Sequence, residues 1–379
     1  MEPIIILGSG LAGYTLAREF RKLDAAAPLT IITRDDGSVY SKPMLSNAFA
    51  AGKTPAQLAT ATAEKAALDL NANVLPHAEV IAIDTAAKKV QTTAGNYRYR
   101  ALVFAIGADP IRPPLGGDAA ADVYSVNDLA DYARFRAALE PGSEVAILGS
   151  GLIGCEFAND LAAAGFAVTV IGPAEYPLQP LIPRLAGDAL QQALKQIGVQ
   201  WRLGRTAVSA ARNGKKIELR LDDGSNVSAD VVLSAIGLRP RTGLAQATGI
   251  AVNRGIVVDG SLRTNDPDIY ALGDCAEIEG RVMPFVMPIM HAARALAKTL
   301  AGTPATVSFP FMPVAVKTTI YPIVVQPAPA GVDASWVAME ADNGFQLWQI
   351  DHSGKLHGFV LTGVKTRQRA AMLAKLEQA

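Results

Sequence analysis

The sequence predicts an α/β protein with two Rossmann-like domains and a small C-terminal α+β domain. An apolar run at 4–7 precedes the pattern Gly-Ser-Gly-Leu-Ala-Gly at 8–13, and a second run at 145–148 precedes Gly-Ser-Gly-Leu-Ile-Gly at 149–154. Each run is typical of a buried parallel strand, and each glycine pattern opens a helix with apolar periodicity. Alternating apolar residues after position 335 predict the strands of the smaller domain.

In the first domain, the strand at 4–7 leads into a helix that continues through Leu16–Leu23. A second strand is predicted at Leu29–Thr33, and Ala101–Gly107 is a buried strand that ends in glycine. The proline-containing segment Ile111–Pro114 then indicates a crossing between domains.

The second domain repeats this order. Its first strand leads into a helix that reaches Leu161, followed by strands at Val168–Ile171 and Asp230–Gly237. The later predicted elements are a strand segment at Asp268–Asp274, a helix at about 287–300, a proline-punctuated segment at 309–329, strands at 336–339 and 345–348, and a short basic helix at the end.

Composition and charge exclude several classes of protein. A chain of 379 residues with 50% hydrophobic content predicts two or three folded domains, and 35 basic against 35 acidic residues give no general attraction to nucleic acid or to membranes. No apolar run approaches the roughly 18–20 residues that cross a bilayer, and the strand at Ile4 leaves no room for a signal peptide. Two distant cysteines, Cys155 and Cys275, do not form a disulfide framework. We therefore expect a cytoplasmic protein without a metal site.

The two glycine loops predict two dinucleotide sites. In such loops one glycine makes the tight turn, one lets the backbone approach a pyrophosphate, and one permits close helix–strand packing. The helix that follows offers unpaired N–H groups to the phosphates. The alternative, a tight turn in a domain that binds nothing, is weakened because the pattern occurs twice.

The chain resembles a known family, the two-dinucleotide FAD/NAD(P)H oxidoreductases related to glutathione reductase. The resemblance rests on both loops, on the matching segments 105–107 and 235–237, and on 264–274; it covers residues 3–320. The segment 40–46 is most similar to the rubredoxin reductases of this family. The resemblance implies FAD in the first loop and NAD(P)H in a second domain nested in the first. The implied domains are the first part of the FAD domain at 1–110, the NAD domain at 111–240, the second part of the FAD domain at 241–312 and an interface domain at 313–379.

The FAD site implied by the resemblance extends well beyond the loop. Asp274 matches an aspartate that hydrogen-bonds the ribityl chain, although an aspartate at a strand end can also cap a helix. A ribose partner is expected after the second strand, where either Arg34 or Asp35 could contact it through side chain or backbone. The candidate FAD residues are Gly8, Ser9, Gly10, Leu11, Ala12, Gly13, Thr33, Arg34, Asp35, Lys42, Val80, Asp274, Val286 and Lys317.

For the second site, the resemblance places Glu156 beside the flavin and the nicotinamide; the alternative is a charge at a helix N-terminus. NADH is favoured over NADPH because Gly172–Glu175 contains no arginine, and the next basic residue is Arg184. The candidate NAD residues are Gly149, Gly151, Leu152, Ile153, Gly154, Glu156 and Glu175.

The chain lacks cysteines at the positions where related enzymes carry redox cysteines, and this indicates the route of the electrons. Disulfide reductases of this family carry a cysteine pair soon after the second strand, whereas this chain has no cysteine before Cys155, and peroxide-reducing relatives carry a redox cysteine where this chain has Asn47. Both Cys155 and Cys275 are interpreted as structural. We therefore expect electrons to pass directly from flavin to another acceptor.

The resemblance of the segment 40–46 implies that the acceptor is rubredoxin, an acidic electron-transfer protein. A basic C-terminal tail could attract it, although a solvated helix end is an equally simple interpretation. The basic residues of this tail are Lys355, Lys365, Arg367, Arg369 and Lys375. The predicted enzyme is an NADH-dependent flavoprotein reductase. The alternatives are a ferredoxin reductase of an oxygenase system, an NADH oxidase, and a redox-responsive FAD/NADH-binding interaction protein.

Overall fold

The computed structural model describes residues 2–378, which divide into two compact units. Of these residues, the first unit comprises 2–42, 56–109 and 238–310, and the second comprises 43–55, 110–237 and 311–378. Each unit is built on a larger parallel sheet, and the second also holds a C-terminal antiparallel sheet. The predicted fold class is confirmed.

The first unit is built on a five-stranded parallel sheet. Its central strand, Ile4–Leu7, is at most 1% exposed at every residue, which explains why an uninterrupted apolar run encodes it. The strand order across this sheet is Ile269–Ala271, Ala101–Phe104, Ile4–Leu7, Leu29–Ile32 and Asn73–Leu75. Its α-helices are Leu11–Arg21, Ala63–Leu70, Gly243–Ala247 and Val286–Leu300, and Pro55–Leu58 lies at its border.

Smaller sheets and short helical turns complete the first unit. An antiparallel sheet contains Val80–Asp84, Lys89–Thr92 and Gly95–Arg98, and two-stranded pairs join Val39–Tyr40 with Ala59–Ala61, Ile256–Val258 with Ala276–Ile278, and Ala108–Pro110 with Leu238–Pro240. A 3-10 turn lies at Gly273–Cys275 in this unit, and another, Lys42–Asn47, begins at the last residue of its first segment and otherwise belongs to the second unit.

The second unit repeats the parallel design with four strands. Their order is Gln200–Leu203, Ala167–Gly172, Glu144–Leu148 and Val231–Ser234. An antiparallel sheet of Ala207–Asn213, Lys216–Leu221 and Asn226–Ala229 follows, and the α-helices are Leu129–Ala137, Leu152–Ala163, Arg184–Gln196 and Arg369–Gln378.

The C-terminal sheet is antiparallel and five-stranded. Its strand order is Val314–Val316, Ile323–Gln326, Leu356–Thr362, Gln346–Ile350 and Ser335–Glu340. Met372 and Leu376 of the last helix pack with Phe359 and Leu361 of this sheet. Two of the five strands lie inside the segment 309–329, for which the sequence predicts only proline punctuation.

Several predicted elements end at other residues than expected. The first helix covers Leu11–Arg21 and does not extend to Leu23, which is 53% exposed. The strands predicted to run to Gly107 and Gly237 end three residues earlier, at Phe104 and Ser234, and both glycines have positive φ, +71° and +122°. These glycines turn the chain out of the sheet.

Candidate functional site

The glycine loop at 8–13 leaves one stretch of backbone uncovered. A Cβ on Gly8 would lie 2.4 Å from the Ala105 carbonyl oxygen, and one on Gly13 would lie 2.0 Å from the Gly8 carbonyl oxygen. A Cβ on Gly10 would have no neighbour within 4 Å. Gly8 and Gly13 are thus required by the packing of the protein itself, whereas Gly10 faces space that a phosphate group could fill. This arrangement fits FAD.

A hydrogen-bond network stands beside this loop, at the end of the second strand. Asp35 Oδ1 accepts from Ser9 Oγ at 2.8 Å, from Thr33 Oγ1 at 2.6 Å and from the Gly37 N–H at 3.0 Å. Ser9 and Thr33 are buried, while Asp35 is exposed. The structure therefore brings three predicted FAD residues together and orients the Asp35 carboxylate. Arg34 is also exposed.

Asp274 lies in the turn Gly273–Cys275. A Cβ on Gly273 would lie 2.7 Å from the Ala12 Cβ, and Gly273 has a φ of +79°, so only glycine brings this turn close to the first helix. Asp274 Oδ2 lies 3.8 Å from Lys42 Nζ. Two further predicted residues are thereby brought together near the glycine loop.

The remaining predicted FAD residues of the first unit are more scattered. Leu11 and Ala12 begin the Leu11–Arg21 helix, Val80 begins a strand and packs on the main core, and Val286 begins the Val286–Leu300 helix with 39% exposure. Their roles stay predictions. Among residues 2–378, no group of histidine, cysteine, aspartate and glutamate could hold a metal ion, and no helix is long and apolar enough to cross a membrane.

The second glycine loop repeats the first. A Cβ on Gly149 would lie 2.5 Å from the Ala235 carbonyl oxygen and one on Gly154 would lie 2.0 Å from the Gly149 carbonyl oxygen, while one on Gly151 would have no neighbour within 4 Å. Leu152 and Ile153 begin the helix, and Ile153 is 41% exposed. The bare backbone at Gly151 fits the pyrophosphate of a second dinucleotide.

Glu175 follows the strand Ala167–Gly172 and is paired. Its Oε2 accepts a hydrogen bond from Arg184 Nη2, and both side chains are largely exposed, at 68% and 56%. The Arg184 guanidinium also lies 5.1 Å from the centre of the Tyr176 ring. Arg184 lies nine positions after Glu175 and begins the next helix, so the fold brings an arginine to a turn where the sequence alone indicates only an acid.

Glu156 is the most buried charged residue of the candidate site. It is 0% exposed, and its Oε2 accepts from Ser46 Oγ at 2.6 Å and from Lys317 Nζ at 2.7 Å, while its Oε1 accepts from the Lys317 N–H at 3.0 Å. Burial of a carboxylate destabilises the folded protein unless the carboxylate is paired and hydrogen-bonded. The side chain of Lys317 is 30% exposed, so it forms the open end of this cluster. Ser46 was not among the predicted site residues.

Both cysteines are buried free thiols. Burial raises the pKa of Cys155 far above its ordinary range, and burial, as the largest cause, raises the pKa of Cys275 to about 11. The reactive form of cysteine is the thiolate, so neither side chain is set up for thiol chemistry at neutral pH. At position 47, the Asn47 amide donates to the Lys317 carbonyl oxygen at 3.0 Å.

The basic tail is only partly available to a partner. Lys365 is paired with Glu340, and its side chain is 15% exposed. Lys375 Nζ lies 4.9 Å from the centre of the Trp348 ring. Arg367 and Arg369 are exposed.

Comparison with protein families gives two matches that together cover most of the chain. Residues 2–298 match the pyridine nucleotide-disulphide oxidoreductase model, and residues 306–376 match the model of a rubredoxin binding C-terminal domain. Two curated relatives named rubredoxin-NAD(+) reductase are 48% identical (Alcanivorax borkumensis) and 44% identical (Acinetobacter baylyi), with 99% of this chain and 99% and 98% of theirs covered. A protein of Vibrio vulnificus named nitric oxide reductase FlRd-NAD(+) reductase is 39% identical over 100% of this chain and 98% of its own.

Solved structures with the same fold include reductases of electron-transfer proteins. A ferredoxin reductase from Rhodopseudomonas palustris is 25% identical, with a TM-score of 0.87 over 96% of this chain and 91% of its own. The putidaredoxin reductase in a covalent complex with putidaredoxin has a TM-score of 0.90 at 22% identity, over 99% and 93% of the two chains. The two glycine loops, their parallel sheets and these matches show that the chain belongs to the pyridine nucleotide-disulphide oxidoreductase family.

Proposed function

We propose that this protein oxidises NADH with the help of bound FAD and reduces rubredoxin. The observation that carries the proposal is the pair of full-length relatives named rubredoxin-NAD(+) reductase, together with the rubredoxin binding match at 306–376. FAD accepts a hydride from NADH and releases electrons singly, which suits a one-electron metal centre.

The FAD would lie on the first glycine loop. The uncovered backbone at Gly10 supports binding of the pyrophosphate there, and the Leu11–Arg21 helix turns its N-terminus toward it. Asp35 would bind a ribose hydroxyl through Oδ2, because Oδ1 already accepts three hydrogen bonds. The neighbouring Lys42 and Asp274 would bind the polar part of the flavin.

The NADH would lie on the second loop, with its pyrophosphate over Gly151. Glu175 would bind the ribose 2′-hydroxyl, and its pairing with Arg184 keeps that arginine from acting as a site for the 2′-phosphate of NADPH. The resemblance makes Lys317 a flavin contact, and the buried carboxylate of Glu156 would hold its ammonium in place. Glu156 thus acts through Lys317, because its own carboxylate is covered.

Electrons would leave without a thiol step. The burial of Cys155 and Cys275 and the raised pKa of each support this, as does the asparagine at position 47. We place the enzyme in the cytoplasm as part of the same proposal, because it uses NADH and its two described cysteines are both free thiols.

The test is a comparison of acceptors with purified, flavin-loaded protein. NADH oxidation is measured with rubredoxin, with a two-iron ferredoxin and with oxygen alone, each over a range of acceptor concentrations. We expect a high, saturable kcat/KM for rubredoxin. A faster reaction with ferredoxin would show that ferredoxin, not rubredoxin, is the acceptor. NADH oxidation with oxygen alone at the same rate as with rubredoxin would make the protein an oxidase.

A further inference from the structure

The Leu152–Ala163 helix carries three buried polar side chains on one face. Glu156, Asn159 and Asp160 are 0%, 2% and 3% exposed, and their spacing of three and four residues places them side by side. Glu156 is explained by its pairing with Lys317. Buried polar groups are costly unless their hydrogen bonds are made, so the partners of Asn159 and Asp160 indicate what these two residues do.

Asn159 binds the segment that carries Lys317. Its Nδ2 donates to Thr319 Oγ1 at 3.0 Å, and its Oδ1 accepts from the Ile320 N–H at 3.1 Å. Both ends of the amide are therefore bonded to residues two and three positions after Lys317. This pair of bonds fixes the backbone of the segment against the helix.

Asp160 binds the segment that carries Ser46. Its Oδ2 accepts from the Phe49 N–H at 2.8 Å, and its Oδ1 accepts from the Ala50 N–H at 3.0 Å. Burial raises the pKa of Asp160, while these backbone N–H groups and the charge of Lys317 act in the opposite direction. The second segment is thus fixed to the same helix face.

The two segments meet at Glu156. Ser46 Oγ lies 2.6 Å from Glu156 Oε2 and accepts from Lys317 Nζ at 3.0 Å, and Asn47 Nδ2 donates to the Lys317 carbonyl oxygen at 3.0 Å. Lys317 is therefore bonded through its backbone N–H, its carbonyl and its ammonium. Its position depends on both segments, and hence on Asn159 and Asp160.

We propose that Asn159 and Asp160 are positioning residues for NADH-to-FAD electron transfer: by fixing the two segments, they hold the Lys317 ammonium in the orientation that the reaction needs. The inference rests on the proposed function, in which Lys317 is a flavin contact. Small displacements of a reacting or orienting group can cost about a hundredfold in rate. Residues that act only through Lys317 should lose their effect when Lys317 is absent.

The test is a double-mutant cycle with Asn159→Ala and Asp160→Asn, each made in the wild-type protein and in Lys317→Met. The rate of FAD reduction by NADH is measured by rapid mixing, and the flavin midpoint potential is measured by titration against a reference dye. In the wild-type protein we expect each substitution to slow reduction by about tenfold to a hundredfold and to make the potential more negative, because a cation stabilises the reduced, anionic flavin. In Lys317→Met, we expect little further change in either quantity.

Two matched controls remove similar hydrogen bonds elsewhere. Asn265 accepts from the Ala251 N–H at 2.9 Å and donates to the Gly249 carbonyl oxygen at 3.2 Å, and Asp24 accepts from the Ala26 and Ala27 N–H groups at 2.9 and 2.8 Å. Asn265→Ala and Asp24→Asn should leave the reduction rate and the potential unchanged. If Asn159→Ala fails to fold, Thr319→Val removes one of the same hydrogen bonds from the other side.

Equal losses with and without Lys317 would overturn the proposal, and so would an unchanged rate and potential in the single variants. Neither measurement contains rubredoxin. A protein that shows the expected cycle but does not reduce rubredoxin would therefore refute the proposed acceptor and leave the positioning role intact.

Discussion

Within the first glycine loop, the surroundings of each glycine differ. Gly13 is pressed against the Gly8 carbonyl, so its lack of a side chain serves the fold. Gly10 has open space around it and an ordinary φ of −71°, so the fold itself would accept a larger residue there. The proposed pyrophosphate at this loop would account for its lack of a side chain.

This difference predicts opposite behaviour for two substitutions. Gly10→Val should leave the Tm of the FAD-free protein close to the wild-type value but abolish the yellow colour, since the new side chain fills the pyrophosphate space. Gly13→Ala should lower the free energy of unfolding by about 1–3 kcal/mol through overpacking. Calorimetry of the FAD-free proteins and visible absorbance after FAD addition check both. Full FAD retention in a folded Gly10→Val protein would remove this loop from the FAD site.

The buried thiols predict resistance to alkylation. A Cys275 thiol with a pKa of about 11 stays protonated at neutral pH, and its reactivity should rise only as the pH approaches that value. Iodoacetamide at about pH 8 should therefore leave rubredoxin reduction by the native enzyme unchanged, while the same reagent should label both cysteines after unfolding in urea. Rapid inactivation with one thiol labelled would show that a cysteine takes part.

Among the elements, the turn after the strand Ala167–Gly172 is the one that decides between the coenzymes in the proposed function. A Cβ on Gly172 would lie 2.6 Å from Ser150 Oγ, so the strand end touches the second glycine loop. The turn that follows carries Glu175, which is paired with Arg184 of the next helix. An acid binds the ribose 2′-hydroxyl of NADH, whereas a free arginine binds a 2′-phosphate.

Removing the acid should therefore alter the coenzyme preference. Glu175→Ala should lower kcat/KM for NADH and raise it for NADPH, with a change in their ratio of roughly tenfold, or ~1.4 kcal/mol. The control is the double variant Glu175→Ala with Arg184→Ala, in which the gain in kcat/KM for NADPH should disappear. Steady-state kinetics with both coenzymes measure the effect. An unchanged ratio would place the ribose elsewhere.

The sequence predicts elements well where one pattern dominates. Both strand–loop–helix units, and the helix at Val286–Leu300, follow from apolar periodicity and glycine spacing. The short strands between Val39 and Arg98 were not predicted, since they are brief, partly exposed and paired in ways that local sequence does not encode.

In the candidate site, too, the sequence predicts the local motifs but not the contacts between distant residues. The glycine loops are local motifs, whereas the contact of Glu156 with Ser46 spans 110 positions and its contact with Lys317 spans 161. Such contacts depend on the tertiary fold. One local signal was present: Asn159 and Asp160 are polar residues on the same face as Glu156 in an otherwise apolar helix.

For the whole molecule, net charge is zero, so attraction of an acidic partner depends on local charge. Lys365 forms an ion pair with Glu340, and replacement of Lys365 would break this pair within the protein itself. The exposed Arg367 and Arg369 are better probes of docking.

We expect Arg367→Glu combined with Arg369→Glu to lower kcat/KM for rubredoxin and to flatten its dependence on salt. Charge steering acts over about 8 Å at ~0.15 M salt and weakens as ionic strength rises. Reduction of ferricyanide, a small acceptor, should not change and serves as the control. If rubredoxin kinetics and salt dependence stay as in the wild-type protein, rubredoxin binds away from these arginines.

The central claim is direct electron transfer from the reduced enzyme to rubredoxin. It is tested most directly by mixing NADH-reduced protein with oxidised rubredoxin and following the flavin and iron absorbance together. The two signals should change in step, with two rubredoxins reduced for each NADH consumed, and the rate should saturate with rubredoxin concentration. A flavin that stays reduced in the presence of rubredoxin, but is reoxidised at once by ferricyanide, would contradict the claim.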